Sequence, residues 1–516
     1  MIHILKMGRS LLIAVALALP TAAAAEPFPK FNEIGTPQEI ELVGKAMALA
    51  PHDPESGKAA LVQLDQILAQ LPQAKARGMV QMLRASVLES LDRSSEAQLA
   101  AEEGIRLLPN YSAPLLLASR LYSFSDKPGP GADYLIRASR LDTDIVLATD
   151  SYEVGNLLNR LRHVRDERRE RALSTRLIDL GWKGDNFGTR SALVMDVLQW
   201  RLGDGDEKGA RELVPSLISP SHMYRLLALN SAKPIWENIE LWAGARLEKQ
   251  WAVYLTETRE RWTASQDLDA ALEYADALTT AEHHQTILAE MLPLMSRPLD
   301  KAQDHQIMFL AAKVAGSLAR YGRWGDIEAM YERLMAVWPV GSTPNALNLS
   351  GNRARHLWHA GRNDEALRLI DATITDATRR GGEINGDALL TMHQARTCIL
   401  HEMGRDAEAV LSKSLALAND SPDNMVATYL CLERPDEARR VLIEGLKHER
   451  TRDSVIAYVQ PEADWPMKSQ LGAKMAARYL KLRQDPKLRA AVEKHGRILP
   501  FAVSAAAPPE AQRSMP

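Results

Sequence analysis

Two short helices joined by a turn form a unit that recurs along this sequence. The clearest pair of copies shares a leucine four residues before a turn glycine and an alanine five residues after it: Leu357, Gly361 and Ala366 match Leu400, Gly404 and Ala409. A helix pair of this size cannot bury its apolar side by itself, so neighbouring pairs must stack and share one apolar seam. The recurrence therefore predicts an array of packed helix hairpins.

The composition agrees with an all-helical protein. Of 516 residues, 46% are hydrophobic and 25% are charged, which is typical of folded proteins that are neither disordered nor membrane-spanning. Aromatic residues make up only 5%, and no stretch alternates apolar and polar residues with the period of two that strands require. The formal net charge of −3 gives no indication of a nucleic-acid partner.

Local signals indicate where individual helices begin and how they pair. Thr36, Pro37 and Glu39 combine a hydroxyl cap, a first-turn proline and a carboxylate three residues after the cap, so a helix is predicted to start there. After the polar turn at 92–95, Ala97 and Gly104 lie seven residues apart on one helix side. Small residues at this spacing allow the preceding helix to approach closely.

The first 25 residues have the features of a cleavable secretory signal peptide. Lys6 and Arg9 precede the apolar run 11–19, and Ala23–Ala25 supply small residues before a cleavage point. We therefore expect a periplasmic or secreted protein without membrane insertion after the signal is removed. The alternative is an uncleaved leader that acts as an anchor, although its apolar run is shorter than the ~20 residues of a spanning helix.

Further turns extend the repeat pattern. Gly322 is followed by Tyr331 and Pro339, and a shorter copy ends in Glu437 and Ala438. With the two units above, these resemble the tetratricopeptide repeat (TPR) family, whose 34-residue units carry a turn glycine, a Glu-Ala pair, an aromatic residue and a closing proline. The resemblance implies an all-α, TPR-like helix-turn-helix repeat solenoid.

The pattern departs from that family in three respects. The turn glycines at 322, 361 and 404 are 39 and 43 residues apart, Ile327 stands where a small alanine belongs, and Thr378 replaces a closing proline. Loops of uneven length would explain the spacings. The quality of the pattern predicts this division after the signal peptide: N-terminal repeats over 26–145, degenerate helical repeats over 146–300, C-terminal repeats over 301–450, capping helices over 451–500 and a disordered tail over 501–516.

The sequence shows none of the catalytic motifs that we considered. It has no phosphate-binding glycine loop, no glycine-flanked serine elbow and no His-Glu-x-x-His. His356 and His359 lie one helical turn apart, but a zinc site needs three or four ligands and no further ones cluster beside them. We therefore predict a protein that is not an enzyme, with no metal and no cofactor.

Two side-chain groups leave alternatives open. Cys398 and Cys431 lie on the first helices of successive units, where they form either a disulfide or two buried thiols, since packed helix axes are 8 to 10 Å apart. Trp236, Trp242 and Trp251, with Trp262, crowd 27 residues of the middle region. They either floor a ligand groove or fill the core, and the helical spacing favours a buried stripe that excludes Trp242.

The family resemblance also implies a binding surface. In TPR proteins, the groove positions lie thirteen, ten, six, three and two residues before the turn glycine. Carried over to the units with a recognisable turn, these positions give a mixed basic, aromatic and amide surface: Phe309, Arg320, Arg355, Trp358, His359, Thr391, Gln394, His401 and Glu402. Such a surface suits a peptide with a carboxylate.

The function predicted from these features is a non-catalytic, periplasmic scaffold that binds a peptide or protein partner in the concave face of the repeat array. Two alternatives remain open at this point. One is an extracytoplasmic enzyme with its site in the weakly patterned region 146–300. The other is a carbohydrate or envelope-polymer binder that uses the tryptophans of the same region.

Overall fold

The computed structural model describes residues 27–49, 53–301, 304–380, 386–418, 422–462 and 467–510. The predicted signal peptide, residues 1–25, lies outside these ranges. Within them the chain is helical and contains no β-strand, and an isolated antiparallel bridge joins Leu229 to Gly496. The predicted all-α class of helix-turn-helix repeats is confirmed. None of the helices described is both long and apolar enough to cross a membrane.

The α-helices follow one another with short connections. In the first part of the chain they are α1 Phe31–Ile34, α2 Pro37–Met47, α3 Pro54–Gln70, α4 Ala74–Ser90, α5 Ser94–Leu107, α6 Ser112–Ser123, α7 Gly129–Leu141, α8 Thr143–Leu147, α9 Ser151–His163, α10 Glu167–Asp179 and α11 Phe187–Gly203. The predicted capping box at Thr36 and Glu39 is confirmed at the start of α2.

The later helices are α12 Glu207–Leu213, α13 Pro220–Ala228, α14 Trp236–Ala243, α15 Glu248–Ser265, α16 Leu268–Thr280, α17 His284–Met291, α18 Ile307–Arg320, α19 Trp324–Val337, α20 Ala346–His359, α21 Asn363–Arg380, α22 Gly386–Glu402, α23 Glu408–Leu417, α24 Val426–Cys431, α25 Pro435–Gly445, α26 Glu449–Tyr458, α27 Gln470–Arg483 and α28 Pro486–Val492. Short 3₁₀ helices lie at Val214–Ser216, Asn230–Ile235, Leu292–Ser296, Pro422–Met425 and Val503–Ala506.

The chain divides into two compact units, one ending at Val197 and the other beginning at Leu198. Successive helices of the first unit share an apolar core that includes Leu88 and Leu161. In the second unit, a core around Leu318 and Trp338 joins α16 to α20. The boundaries predicted near residues 145 and 300 describe the quality of the repeat pattern, whereas the division at residue 197 describes compactness. The predicted boundaries therefore stay predictions.

In the part of the chain that the structure describes, eight turns within helix hairpins share one hydrogen-bond geometry, which also occurs at Gly181, between α10 and α11. A residue with left-handed φ ends the first helix, and the next N–H donates to the carbonyl five residues before it, at 2.8 to 3.0 Å. This is the Schellman motif, which satisfies carbonyls that a helix end leaves unpaired. The left-handed residues are Asp92, Arg165, Gly205, Glu282, Gly322, Gly361, Gly404 and Glu433.

Four of these turns form without glycine, although a side chain disfavours left-handed backbone. Contacts with other helices of the second unit hold two of them in place. The carboxylate of Glu282 lies 3.6 Å from Nε of Arg320, and that of Glu433 lies 3.3 Å from Nζ of Lys474. A search for turn glycines therefore misses Arg165 and Glu282, which explains why the repeats looked degenerate in the middle of the sequence.

Replacing either of two nearby glycines by alanine should change the free energy of unfolding, but in opposite directions. Gly361 has φ +79° and open space where a Cβ would lie, so the Gly361→Ala variant should lose about 1 kcal/mol of stability through backbone strain alone. Gly351, inside α20, also has open space. Gly351→Ala should gain about 0.5 to 1 kcal/mol, because glycine disfavours helix interiors. Urea unfolding of both variants tests this, and the same sign in both would contradict the turn geometry.

The fifth residue after the left-handed position packs the second helix against the first. It is buried in seven of the eight hairpins: Ala97, Glu170, Ala210, Ile287, Ile327, Ala366 and Ala438. Ala409, in the eighth, is exposed. The second helix of that hairpin begins four residues after its left-handed residue, whereas the others begin two after. The predicted equivalence of Ala366 and Ala409 is therefore wrong, because the delayed start moves Val410 into the buried position.

Cys398 and Cys431 form a disulfide, with 5.7 Å between their Cα atoms. The bond joins α22 to α24, the first helices of neighbouring hairpins. Sequence spacing left the bond open because helix axes usually lie 8 to 10 Å apart. The Cα atoms of the two helices lie within the range that a disulfide spans, because both cysteines are on the buried sides between them.

The C-terminal segment, residues 467–510, packs against the repeats of its own unit. The sequence predicts a disordered tail from residue 501, but the structure places residues 501–510 against α13, α15 and the turn before α17. Residues 511–516 lie outside the described part of the chain. Helices α26 to α28 occupy most of the predicted capping region.

Candidate peptide-binding surface

The nine residues proposed from the family resemblance lie on three first helices. Phe309 and Arg320 are on α18, the positions 355, 358 and 359 are on α20, and the remaining four are on α22. The structure separates them by exposure. Three are exposed: Arg355, Thr391 and Glu402. Five are half-buried: Phe309, Arg320, His359, Gln394 and His401. Trp358 is buried, with 9% of its surface exposed.

Trp358 does not present its ring to a partner in this structure. Its centroid lies 5.4 Å from the imidazole of His359, and its indole Nε1 is buried. Arg355, one turn earlier on α20, is exposed. Of the three candidate residues on this helix, the structure therefore leaves Arg355 exposed, His359 half-buried and Trp358 buried.

The C-terminal segment contacts two of the predicted binding residues. Oγ of Ser469 lies 3.4 Å from Nδ1 of His359, and Nζ of Lys474 lies 3.5 Å from the carboxylate of Glu402. The backbone N–H of Lys468 also donates to the carbonyl of Ala319 at 2.9 Å. Helix α27 and the residues before it thus cover part of the surface that the repeat pattern assigned to a partner.

Two other candidates join neighbouring elements of the array. Nε2 of Gln394 donates to the carbonyl of Asn424 at 2.7 Å. Nε of Arg320 lies 3.6 Å from the carboxylate of Glu282, which is the left-handed residue of the preceding turn. These side chains hold adjacent hairpins in register, and a partner would have to compete for them.

His356 is buried, whereas His359, one helical turn later, is half-buried. Only 2% of His356 is exposed, and neither of its ring nitrogens has a protein hydrogen-bond partner. Burial lowers its pKa to about 3, and the nearby charge of Arg355 adds to this effect. Among the residues that the structure describes, no three His, Cys, Asp or Glu side chains cluster as metal ligands would.

The depressed pKa of His356 makes stability depend on pH. The folded state holds the ring neutral, whereas the unfolded chain binds a proton near the ordinary pKa of 6.5. Stability is therefore full above pH 6.5 and falls as the pH drops toward 3. The His356→Leu variant should show a shallower loss between pH 6.5 and 4 in urea unfolding at fixed ionic strength. Parallel curves for the two proteins would mean that His356 is not held neutral.

The tryptophans of the middle region have separate roles. Trp251 is fully buried, as the predicted stripe requires, and Trp242 is half exposed, as its exclusion from the stripe requires. Trp262 is only partly buried and stacks on Tyr274. Trp236 belongs to a different helix, α14, so the stripe is not continuous across it. The reason is Gly244, with φ +92°, which separates α14 from α15.

The C-terminal segment reaches this tryptophan region through an anchor, residues 495–499. The guanidinium of Arg497 lies 3.8 Å from the ring centroid of Trp236, and its Nε donates to the carbonyl of Leu227 at 2.6 Å. The buried side chain of Gln460 accepts from the N–H of Leu499 at 2.9 Å and donates to the carbonyl of Arg497 at 3.0 Å. A buried amide and a stacked guanidinium therefore fix the segment firmly at this point.

Beyond the anchor, residues 501–510 form a strap that is held by donors of the repeat surface. The hydroxyl of Tyr224 donates to the carbonyl of Phe501 at 2.6 Å, and the indole N–H of Trp251 donates to that of Val503 at 2.8 Å. Further along, Nε2 of His283 lies 2.8 Å from the carbonyl of Pro508. Residues 503–506 of the strap form a short 3₁₀ helix. Three side chains thus bind main-chain carbonyls, which any peptide offers.

The strap ends with a carboxylate at a helix start. Oε1 of Glu510 accepts from the backbone N–H of Thr286 at 2.6 Å, in the first turn of α17. The residue before that helix, His283, supplies no side-chain cap. The first N–H groups of a helix favour an anion, so Glu510 provides the cap from a distant part of the chain. Sequence reasoning missed this contact because helix-capping signals are sought within a few residues.

Comparison with known proteins adds solved structures of helical repeat proteins. No family model matches the sequence, and no curated protein matches it significantly. Yeast Tom70 is similar at 13% identity over 89% of this chain and 99% of its own, with a TM-score of 0.33. The Cut9–Hcn1 heterotetramer of the APC/C gives 13% identity over 81% and 83%, with a TM-score of 0.28. The TPR domain of P58(IPK) gives 14% over 87% and 99%, with a TM-score of 0.19.

These identities and TM-scores are too low to assign a fold. The fold follows from the repeated geometry of this chain. Eight hairpins close on the same Schellman turn, and seven bury the same position of the second helix. The chain is therefore an all-α protein built from TPR-like helix-turn-helix repeats.

Proposed function

We propose that this chain is a non-catalytic scaffold that binds a protein partner through a peptide segment. The observation that carries the proposal is the bound strap. Tyr224, Trp251 and His283 each bind a main-chain carbonyl of residues 501–510. Because these bonds go to the main chain, a surface that holds residues 501–510 in this way has the chemistry to hold a segment of another protein.

The first helices α20 and α22 provide a second contact surface. Arg355 is exposed there and suits a carboxylate of a partner, because a guanidinium forms paired hydrogen bonds with that group. Thr391 is exposed on the next first helix. Together they retain the mixed basic and polar character that the family resemblance implies for these positions.

The scaffold is proposed to act outside the cytoplasm, in a periplasm or a secreted setting. The leader pattern at 1–25 supports this location, and so does the disulfide, because such bonds persist in oxidising compartments. Mass spectrometry of the protein isolated from its native cells should find Glu26 at the N-terminus. A chain that retains Met1 in the cytosol would contradict the proposed location.

Site-specific photocrosslinking tests the contact surface. A photoreactive residue at Arg355 in the full chain should give an adduct with another protein, because this position faces outward from a first helix. Arg368, an exposed arginine on the second helix α21, is the matched control and should give none. Equal adducts at both positions, or none at Arg355, would remove this face from the proposed surface.

A further inference from the structure

We propose that the strap, residues 501–510, acts as a displaceable latch over a peptide-binding site in the middle region. The partner segment would copy the chemistry of this latch. The proposal deepens the proposed function and rests on it. The partner segment would carry an aromatic residue at its start and a carboxylate nine residues later, with a short 3₁₀ turn between them, as Phe501, Val503–Ala506 and Glu510 are placed here.

The first step is that the latch is bound lightly. Ala506 is its only buried residue among 501–510, and the others are half-buried or exposed. Most of its side chains are small: alanine, valine, serine and proline. Its polar contacts with the repeats include three hydrogen bonds to carbonyls and one to a carboxylate. The ring of Phe501 lies 5.7 Å from that of Tyr224 and 5.3 Å from the guanidinium of Arg246.

The second step is that the anchor before the latch is bound much more firmly. Leu499 and Gln460 are buried, and Arg497 is stacked on Trp236. Pro500 separates the anchor from the latch. Because the anchor keeps the latch close to its site, the local concentration is on the order of millimolar, and a free partner segment must bind more tightly to displace it.

The third step is that the vacated site would offer defined groups to a partner. Its donors are the hydroxyl of Tyr224, the indole N–H of Trp251 and the ring of His283. The guanidinium of Arg246 lies 5.3 Å from the Phe501 ring and would stack on an aromatic residue. The N-terminus of α17 would take the carboxylate.

The test uses the full chain and a labelled peptide of residues 499–510. Ala506→Asp with Glu510→Gln loosens the latch, because it buries a charge and removes the negative charge at the start of α17. The loosened chain should bind the peptide at least about tenfold more tightly than the unaltered chain, in which the closed latch lowers the fraction of open sites. Glu510→Gln alone should give a smaller increase in the same direction, and it keeps the test valid if the double variant folds poorly.

A matched pair of tryptophan variants locates the binding. In the loosened chain, Trp251→Phe removes the indole N–H but keeps an aromatic ring. This variant should bind the peptide more weakly. Trp242→Phe changes a half-exposed tryptophan of the same region, which forms no hydrogen bond or ring contact with residues 501–510 of the described chain, and it should have no effect.

Two results would overturn the latch: equal peptide affinity for the loosened and unaltered chains, or equal affinity in the two tryptophan variants. These results are independent of the crosslinks at Arg355. A partner crosslinked at that position, together with a failed peptide experiment, would leave the scaffold function standing and remove only the latch.

Discussion

Replacing Cys398 and Cys431 by alanine is expected to lower the free energy of unfolding by about 3 to 4 kcal/mol. The bond closes a loop across 33 residues, and its loss returns that conformational freedom to the unfolded chain. Alanine is preferred to serine because both positions are buried, where a hydroxyl would need a partner. Urea unfolding followed by circular dichroism measures the loss.

Reduction provides the control for the disulfide. The unaltered chain in excess dithiothreitol should lose a similar amount of stability, and the double alanine variant should not respond to the reductant. The single variant Cys398→Ala should lose about as much as the double one, because either change opens the loop. Two reactive thiols in the unreduced protein, or a double variant as stable as the parent, would contradict the bond.

Replacing Ala366 by leucine is expected to cost about 1 to 3 kcal/mol. Ala366 has no exposed surface and faces the first helix of its hairpin, so three added carbon atoms must push α20 and α21 apart. The same measurement on Ala409→Leu should show a change within about 0.5 kcal/mol, because that alanine is exposed.

The two alanines are a stringent pair because the sequence makes them equivalent. Each follows a glutamate and stands five residues after a turn glycine. Equal losses in both variants would mean that α23 packs as the sequence motif predicts, with Ala409 inward. An undisturbed Ala366→Leu variant would mean that the hairpin of α20 and α21 does not close on this position.

The hairpins were predictable where the residues at the turn can be recognised from local chemistry. Gly322, Gly361 and Gly404 mark left-handed turns because glycine adopts that backbone without strain. Arg165 and Glu282 adopt the same backbone but carry no such signal in the sequence. A contact from the next hairpin holds Glu282 in place, and a search along the chain does not find it.

The candidate surface was predictable only in part. The positions counted back from the turn glycines fall on first helices, as expected, and Arg355 is exposed there. The count could not show that Trp358 is buried, because a position on a helix does not specify what packs on it. Nor could it find the strap, whose contacts join residues more than 200 positions apart, such as Trp251 and Val503.

The helices and most of their pairing follow from local residue patterns, because they depend on hydrogen bonds and apolar contacts between residues a few positions apart. Which surfaces of the hairpins remain exposed depends on contacts between segments that are distant in the sequence. Cys398 meets Cys431, Glu510 caps a helix that begins 226 residues earlier, and Lys474 of α27 lies beside the exposed carboxylate of Glu402. Such contacts depend on how the whole unit brings distant segments together, and no local pattern of residues specifies that.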